Sequence, residues 1–286
     1  MGLGKNLLGG ALALVLSTGV MAADKADLII IHGHIQTGAG NKTVQAVAVL
    51  GGHIIATGSD KQIQALATKG TQVLDLGGRA ATAGLIETHA AISEGTGPSA
   101  SIEQIEADIL RGIERLHGMG VTSLRDPGIR PAGWEAYRVL LATNALTERV
   151  CVAWDAGTTL ESAKETLANV EAVPKAPANL GDGRLVSCGV TLGNTDPETA
   201  RAMTKLFEDA HYEVENPYAG AGATPRKAAP LIHLGTKVGT LEVGKRADIA
   251  VWEKDLSKAP NARCLMTLVD GDVVYRANDG PVASKK

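Results

Sequence analysis

The chain has 286 residues, 44% hydrophobic and 21% charged, which excludes a disordered protein and predicts one large or two ordinary domains. Its 28 basic residues face 31 acidic ones, a balance that argues against nucleic acid as a partner, since phosphate binding needs a concentrated basic face. Aromatic residues make up only 3%, so stacking platforms are not expected and the core falls to Val, Ile, Leu and Ala.

Met1–Ala23 reads as an export signal: Lys5 precedes an apolar run from Leu7 to Leu16, and Val20 and Ala22 flank a plausible cleavage site. The run is diluted by Gly9, Gly10, Ser17, Thr18 and Gly19 and falls short of the ~20 apolar residues a membrane span needs. Residues 1–22 are therefore assigned to the signal. The mature protein is expected to be periplasmic or secreted, without a membrane anchor.

Three regimes follow. From Asp27 to about Arg79 the pattern is short and β-rich, with Val44–Val49 and His53–Ala56 joined by Gly51-Gly52 as a hairpin. From Thr82 to about His211 strands feed helices. Leu85–Thr88, Val121–Leu124, Arg149–Trp154 and Leu185–Val190 read as strands. Helices are predicted behind the Ser101–Gln104 capping box, near Trp134–Leu146, after Thr158 or Thr159, and from Asp196-Pro197. That rhythm predicts a parallel sheet with helices outside. From Gly235 the chain returns to β, with Ala247–Trp252 and a hairpin turning at Asp270-Gly271. Residues 24–81 and 235–280 are expected to form one composite β-sandwich, with 82–234 as the α/β domain. Cys151, Cys188 and Cys264 each lie in an apolar, strand-like run and are read as small buried hydrophobes; a Cys151–Cys188 bridge is compatible with the spacing but not fixed by it.

Two segments are specific: Asp75–Arg79 with Ala83–His89, and Gly239–Val251 (GTLEVGKRADIAV). Together they resemble the amidohydrolase superfamily, most closely its amidohydrolase 3 branch. Gly120–Asp126 and the stretch from Gly181 to Val190 look like barrel strands of that branch. The resemblance implies a TIM-like barrel with a metal site at the C-terminal ends of its strands, where a divalent ion, zinc above all, activates water against a carbon–nitrogen bond. It also implies a ligand set: a His-x-His pair after the first strand, a lysine or glutamate after a middle strand, two later histidines and an aspartate.

His89 matches the first histidine and is the candidate metal ligand, but Ala91 stands at the second position and Thr191 where the lysine is expected. Arg125 and Asp126, at a strand end on the functional side, are candidate substrate-binding residues or a rim salt bridge; Asp155 carries the same two readings. Glu87 is read as supporting the loop at His89. His32-Gly33-His34 has metal-like spacing but falls in a hairpin and is read as a surface turn; His53 and His117 are read as structural. Catalytic residues remain unassigned.

A closed eight-unit barrel takes ~250 residues, and only about 150 separate Thr82 from His233. A partial barrel of about four βα units is therefore expected, with no further strands after His211. Its exposed apolar face would need cover from another subunit or from the sandwich, so a homo-oligomer is one expectation. Two functions stay open. One is a metal-dependent hydrolase of small-molecule amides or cyclic amides. The other, favoured by Ala91 and Thr191, is a catalytically inactive relative that binds a partner or is a remnant.

Overall fold

The computed structural model describes residues 25–40, 42–93, 99–173, 179–215 and 223–285. The segment expected to be an export signal lies outside them. No helix among the described residues is long and apolar enough to cross a membrane.

Two β-sheets draw on both ends of the chain. One orders Ala283–Lys285, Ala67–Asp75, Ala26–Ile31, Ala46–Leu50 and His53–Gly58; the other orders Asp272–Arg276, Cys264–Val269, Ile249–Trp252, Ala80–Ala83, His34–Gln36 and Thr43–Val44. A single apolar cluster takes Ile30, Val47 and Leu74 from the first sheet and Ala81, Val251 and Leu268 from the second. Asp270 and Gly271 both have positive φ, 55° and 81°, as a type I′ hairpin turn requires.

The third sheet is parallel along β1 (Leu85–Glu87), β2 (Val121–Ile129), β3 (Arg149–Asp155), β4 (Leu185–Thr191) and β5 (Val214–Glu215). Between these strands run α1 (Ile102–His117), α2 (Pro131–Ala142), α3 (Leu160–Glu171) and α4 (Pro197–Asp209). Local chemistry sets the helix starts: Ser101 accepts from Gln104 N, Thr159 from Ser162 N, and Asp196 from the amides of Glu198 and Thr199, satisfying amides that the first turn leaves without partners. Ile105, Ile109, Ile113 and Leu116 form the buried stripe of α1.

The sheet curls, because Arg125 on β2 reaches across to Glu215 on β5. The result is a mixed α/β fold with half a barrel. Its strands alternate faces: Val150, Val152 and Trp154 pack outward under the helices with Tyr137, Met203 and Phe207, while Cys151, Val186 and Cys188 face inward.

Three expectations are corrected here. First, a fifth strand does follow His211: Val214 and Glu215 pair in parallel with Val190 and Thr191. It is two residues long, too short to show periodicity. Second, the concave face is covered by the chain itself. A short helix, α5 (Pro225–Ala228), continues into a 3₁₀ turn (Ala229–Ile232), and Ala228, Ala229, Ile232, Leu234 and Val238 cover Ile86, Cys151, Val186 and Cys188. Third, Cys151 and Cys188 form a disulfide between β3 and β4, with Cα atoms 5.7 Å apart; Cys264 is free and buried.

A charged seam joins the half-barrel to the second sheet. Arg149, at the start of β3, is buried and donates from Nε to Asp248 at 2.8 Å. It also pairs with Asp270, which Arg184 and Arg246 reach at 2.5 and 3.2 Å. Asp248 in turn accepts the Asp270 amide at 2.9 Å. Nearby, His117 Nε2 lies 2.6 Å from a carboxylate oxygen of Glu148, both side chains being buried. Burial pushes the Glu148 carboxyl up to about 7 from 4.5, against the opposing pull of His117.

Two outcomes follow. Removing one partner of a buried pair strands the other's charge, so Arg149→Met is expected to lower unfolding free energy by about 3–5 kcal/mol. Urea denaturation measures it, with Lys205→Ala at the exposed Lys205–Asp209 pair expected to change by less than about 1 kcal/mol. Because folding raises the Glu148 pKa, the native state holds more protons than the unfolded chain between pH 4.5 and about 7, and stability falls as pH rises through that window. Glu148→Gln should flatten this decline in denaturation curves taken at pH 5, 6 and 7.

Candidate functional site

The mouth of the half-barrel lies at the C-terminal ends of its strands, the face on which barrels of this kind carry their chemistry. Arg125 dominates it. Its side chain has no exposed surface; Nε donates to the Thr88 carbonyl at 3.0 Å and Nη1 to Glu215 Oε2 at 2.5 Å. Cys151 stands beside Arg125 in register. Gly189 lets β5 approach, since a Cβ there would meet the Glu213 carbonyl at 2.5 Å and the Glu215 side chain at 3.2 Å.

On the other side of Glu215 sits His233. It caps the 3₁₀ turn with φ of 56°, a left-handed conformation uncommon for a residue with a Cβ. Its Nε2 is 3.7 Å from both Glu215 and Glu213. Hydrogen bonding to Glu215, reinforced by the charges of Glu213 and Glu215, raises the His233 pKa above 6.5; burial and Arg125 oppose this. The ligand atoms of Glu213, Glu215 and His233 lie within 4.8 Å of one another, the one group of three His, Cys, Asp or Glu side chains among the described residues placed to hold a metal ion.

The residues singled out from sequence scatter around this centre. His89 is half-buried, its amide bound to Glu87 Oε1 at 3.0 Å, and its ring joins no metal-capable group of three among the described residues. Arg125 and Asp126 were expected at a rim; the strand instead runs on to Ile129 and buries both. Asp126 accepts from Tyr137 Oη at 2.6 Å and from the Ser93 amide at 3.1 Å, so both carry protein partners. Thr191 Oγ1 donates to the Trp154 carbonyl at 3.4 Å. Asp155 accepts from the Gly157 amide at 2.8 Å and lies 3.7 Å from Arg130. His32 and His34 turn to different acids, Asp75 and Asp255. The sequence reading missed Glu213, Glu215 and His233. The signal was there in Glu213-x-Glu215, whose spacing of two puts both carboxylates on one face of a strand.

The model of the Amidohydro_3 amidohydrolase family matches residues 218–275. No curated protein sequence matches the chain. Among solved structures, a triazine hydrolase from Arthrobacter aurescens superposes with a TM-score of 0.59 at 13% identity, over 89% of this chain and 96% of its own. The zinc complex of atrazine chlorohydrolase from Arthrobacter aurescens TC1 gives 0.58 at 13% identity over the same shares, 89% and 96%. A zinc-bound adenosine deaminase from Xanthomonas campestris gives 0.52 at 12%, over 87% and 93%.

Residues 218–275 thus match an amidohydrolase family, and the fold of the chain is similar to that of these solved hydrolases. Two of these similar structures hold zinc, so the donor set of this chain has to be tested against such an ion. Ala91 offers no donor and the Thr191 hydroxyl is turned to a backbone carbonyl. In the Glu213–Glu215–His233 group, the buried carboxylate already carries a buried guanidinium at 2.5 Å. The residues present do not reproduce the donor set that the resemblance implies, and the one group of three that could hold an ion, among the described residues, shares its buried carboxylate with a guanidinium.

The mouth makes its own prediction. Folding raises the His233 pKa, so the stabilisation it brings is complete below 6.5 and is lost as pH rises through the raised value. Chemical denaturation from pH 6 to 8.5 should show this loss in the wild type and not in His233→Ala. Glu215→Gln should remove it too.

Proposed function

We propose that this chain is a non-hydrolytic amidohydrolase relative: a shortened member of a carbon–nitrogen hydrolase superfamily that keeps the half-barrel as a binding scaffold without metal-activated water. The observation that carries this reading is the Arg125–Glu215 ion pair at the mouth, above a concave face filled by Ile232, Leu234 and Val238. In this reading His89 shapes the loop after β1 and is not a ligand. Arg125 and Asp126 hold the mouth together from inside. The two outer sheets act as one composite β-sandwich beside the half-barrel, and the protein works in the periplasm or as a secreted chain. The Cys151–Cys188 disulfide supports that location, because such bonds persist in oxidising compartments.

A second reading draws on the Glu213–Glu215–His233 group: a working hydrolase of a small amide or cyclic amide that needs zinc, as the relatives' bound zinc suggests. Zinc content of the purified mature protein, together with hydrolysis of acyl-amide and cyclic-amide probes, separates the two. The proposed function expects substoichiometric zinc and no turnover above buffer. One zinc per chain with turnover abolished in His89→Ala or His233→Ala would sink it and establish the hydrolase.

A further inference from the structure

We propose that residues 224–234 form a lid over the Cys151–Cys188 cystine, and that thiol–disulfide exchange there, whether it makes or breaks the bond, runs only through an open state of this lid. The lid is independent of the proposed loss of hydrolysis. The cystine links β3 to β4 on their inward faces, with no exposed surface on Cys151 and 4% on Cys188. Ala228, Ala229 and Ile232, buried in the same apolar cluster, cover it. Exchange requires a thiolate to reach one of the two sulfurs, and an apolar cover excludes both the incoming sulfur and its charge. The exchange partner, a dithiol or its disulfide, therefore waits for the cover to lift. A thiolate of the dithiol then attacks one cystine sulfur, the S–S bond breaks, and the other sulfur leaves and takes a proton. The partner's second thiolate resolves the mixed disulfide. Two electrons and two protons pass to the cystine, leaving two cysteine thiols and the partner's disulfide; the reverse sequence forms the bond.

The lid is built to lift while the sheets stay intact. It gives no strand to the three sheets described above. The amides of Lys227, Ala228, His233 and Leu234 bond to carbonyls of Thr224, Pro230 and Ala229, all inside the segment, so raising it breaks no sheet ladder. A cavity of about 670 Å³ borders it, lined by Pro225 and Arg226 together with Gly38, Leu85 and Leu256, so part of its surface is unpacked. Arg226 reaches the Gly38 carbonyl at 3.4 Å, a weak bond, and His233 stands 3.7 Å from Glu215 at the lip. What holds the lid down is chiefly the contact of its apolar side chains with Ile86, Val186 and the cystine. That cluster is small beside the cores under the helices and between the two outer sheets, and segments with few buried apolar contacts are the ones that open locally.

The test treats the purified mature chain, cystine intact, with dithiothreitol in native buffer and follows the Cys151 and Cys188 thiols by alkylation and mass spectrometry. Cys264, free and buried against Trp252 in the second sheet, is the internal control: its reaction with iodoacetamide, measured separately, reports opening of that sheet. Reduction should depend only shallowly on urea, because lifting the lid exposes little surface, whereas Cys264 should follow the steep dependence of global unfolding. Ile232→Ala should speed reduction about tenfold or more. Leu268→Ala, in the core between the two outer sheets, should speed Cys264 alkylation and leave the rate of reduction unchanged. Reduction as fast as in the unfolded chain, a urea dependence as steep as that of Cys264, or acceleration of both reactions alike by Leu268→Ala each overturns the proposal. So does a folded Ile232→Ala that is reduced no faster than wild type. Should Ile232→Ala fail to fold, the urea dependence and Leu268→Ala decide alone.

Discussion

A parallel sheet with helices on one side still has a second apolar face, and water must be kept from that face as well. In a closed barrel the strands do this for one another. Here the ring stops at β5, and the segment from Pro225 to Val238 folds back into the concavity to cover Ile86, Val186 and the cystine. The rest of the architecture depends on this constraint. It fixes His233 at the lip of the covering turn and brings Glu215 under it.

Charge is then distributed at the two ends of the sheet in different ways. At the N-terminal end, Arg149, Asp248, Asp270, Arg184 and Arg246 form a shared seam between the half-barrel and the second sheet. At the C-terminal end a smaller set, Arg125 with Glu215 and His233, occupies the mouth. The seam has many partners and ties two bodies together. At the mouth the Glu215 carboxylate faces both Arg125 and His233.

Much of this was readable before any coordinates, and the limit is physical. Helix starts rest on near neighbours in sequence: Thr159 was one of two starts that the third helix offered, and Ser101 with Gln104 and Asp196 with Pro197 announced themselves. The Asp270-Gly271 turn did the same. The continuation of β2 past Asp126 to Ile129 did not, because Pro127-Gly128 reads as a turn. Nor did β5, whose two residues are too few to show an alternation and are placed by partners far along the chain. The covering segment was equally silent: four residues of helix and a 3₁₀ turn are too short for a period. The disulfide depends on the alignment of β3 with β4, which no spacing along the chain encodes.

The seam also has an order in time. Arg149 waits for Asp248, 99 positions further on, and for Asp270, 121 positions further on. Synthesis runs from the N-terminus at roughly 5–20 residues per second, so a growing chain carries this arginine uncompensated until nearly all of the polypeptide has emerged. The half-barrel therefore cannot finish ahead of the C-terminal strands. A chain so built closes the N-terminal end of its sheet only with its last strands in hand.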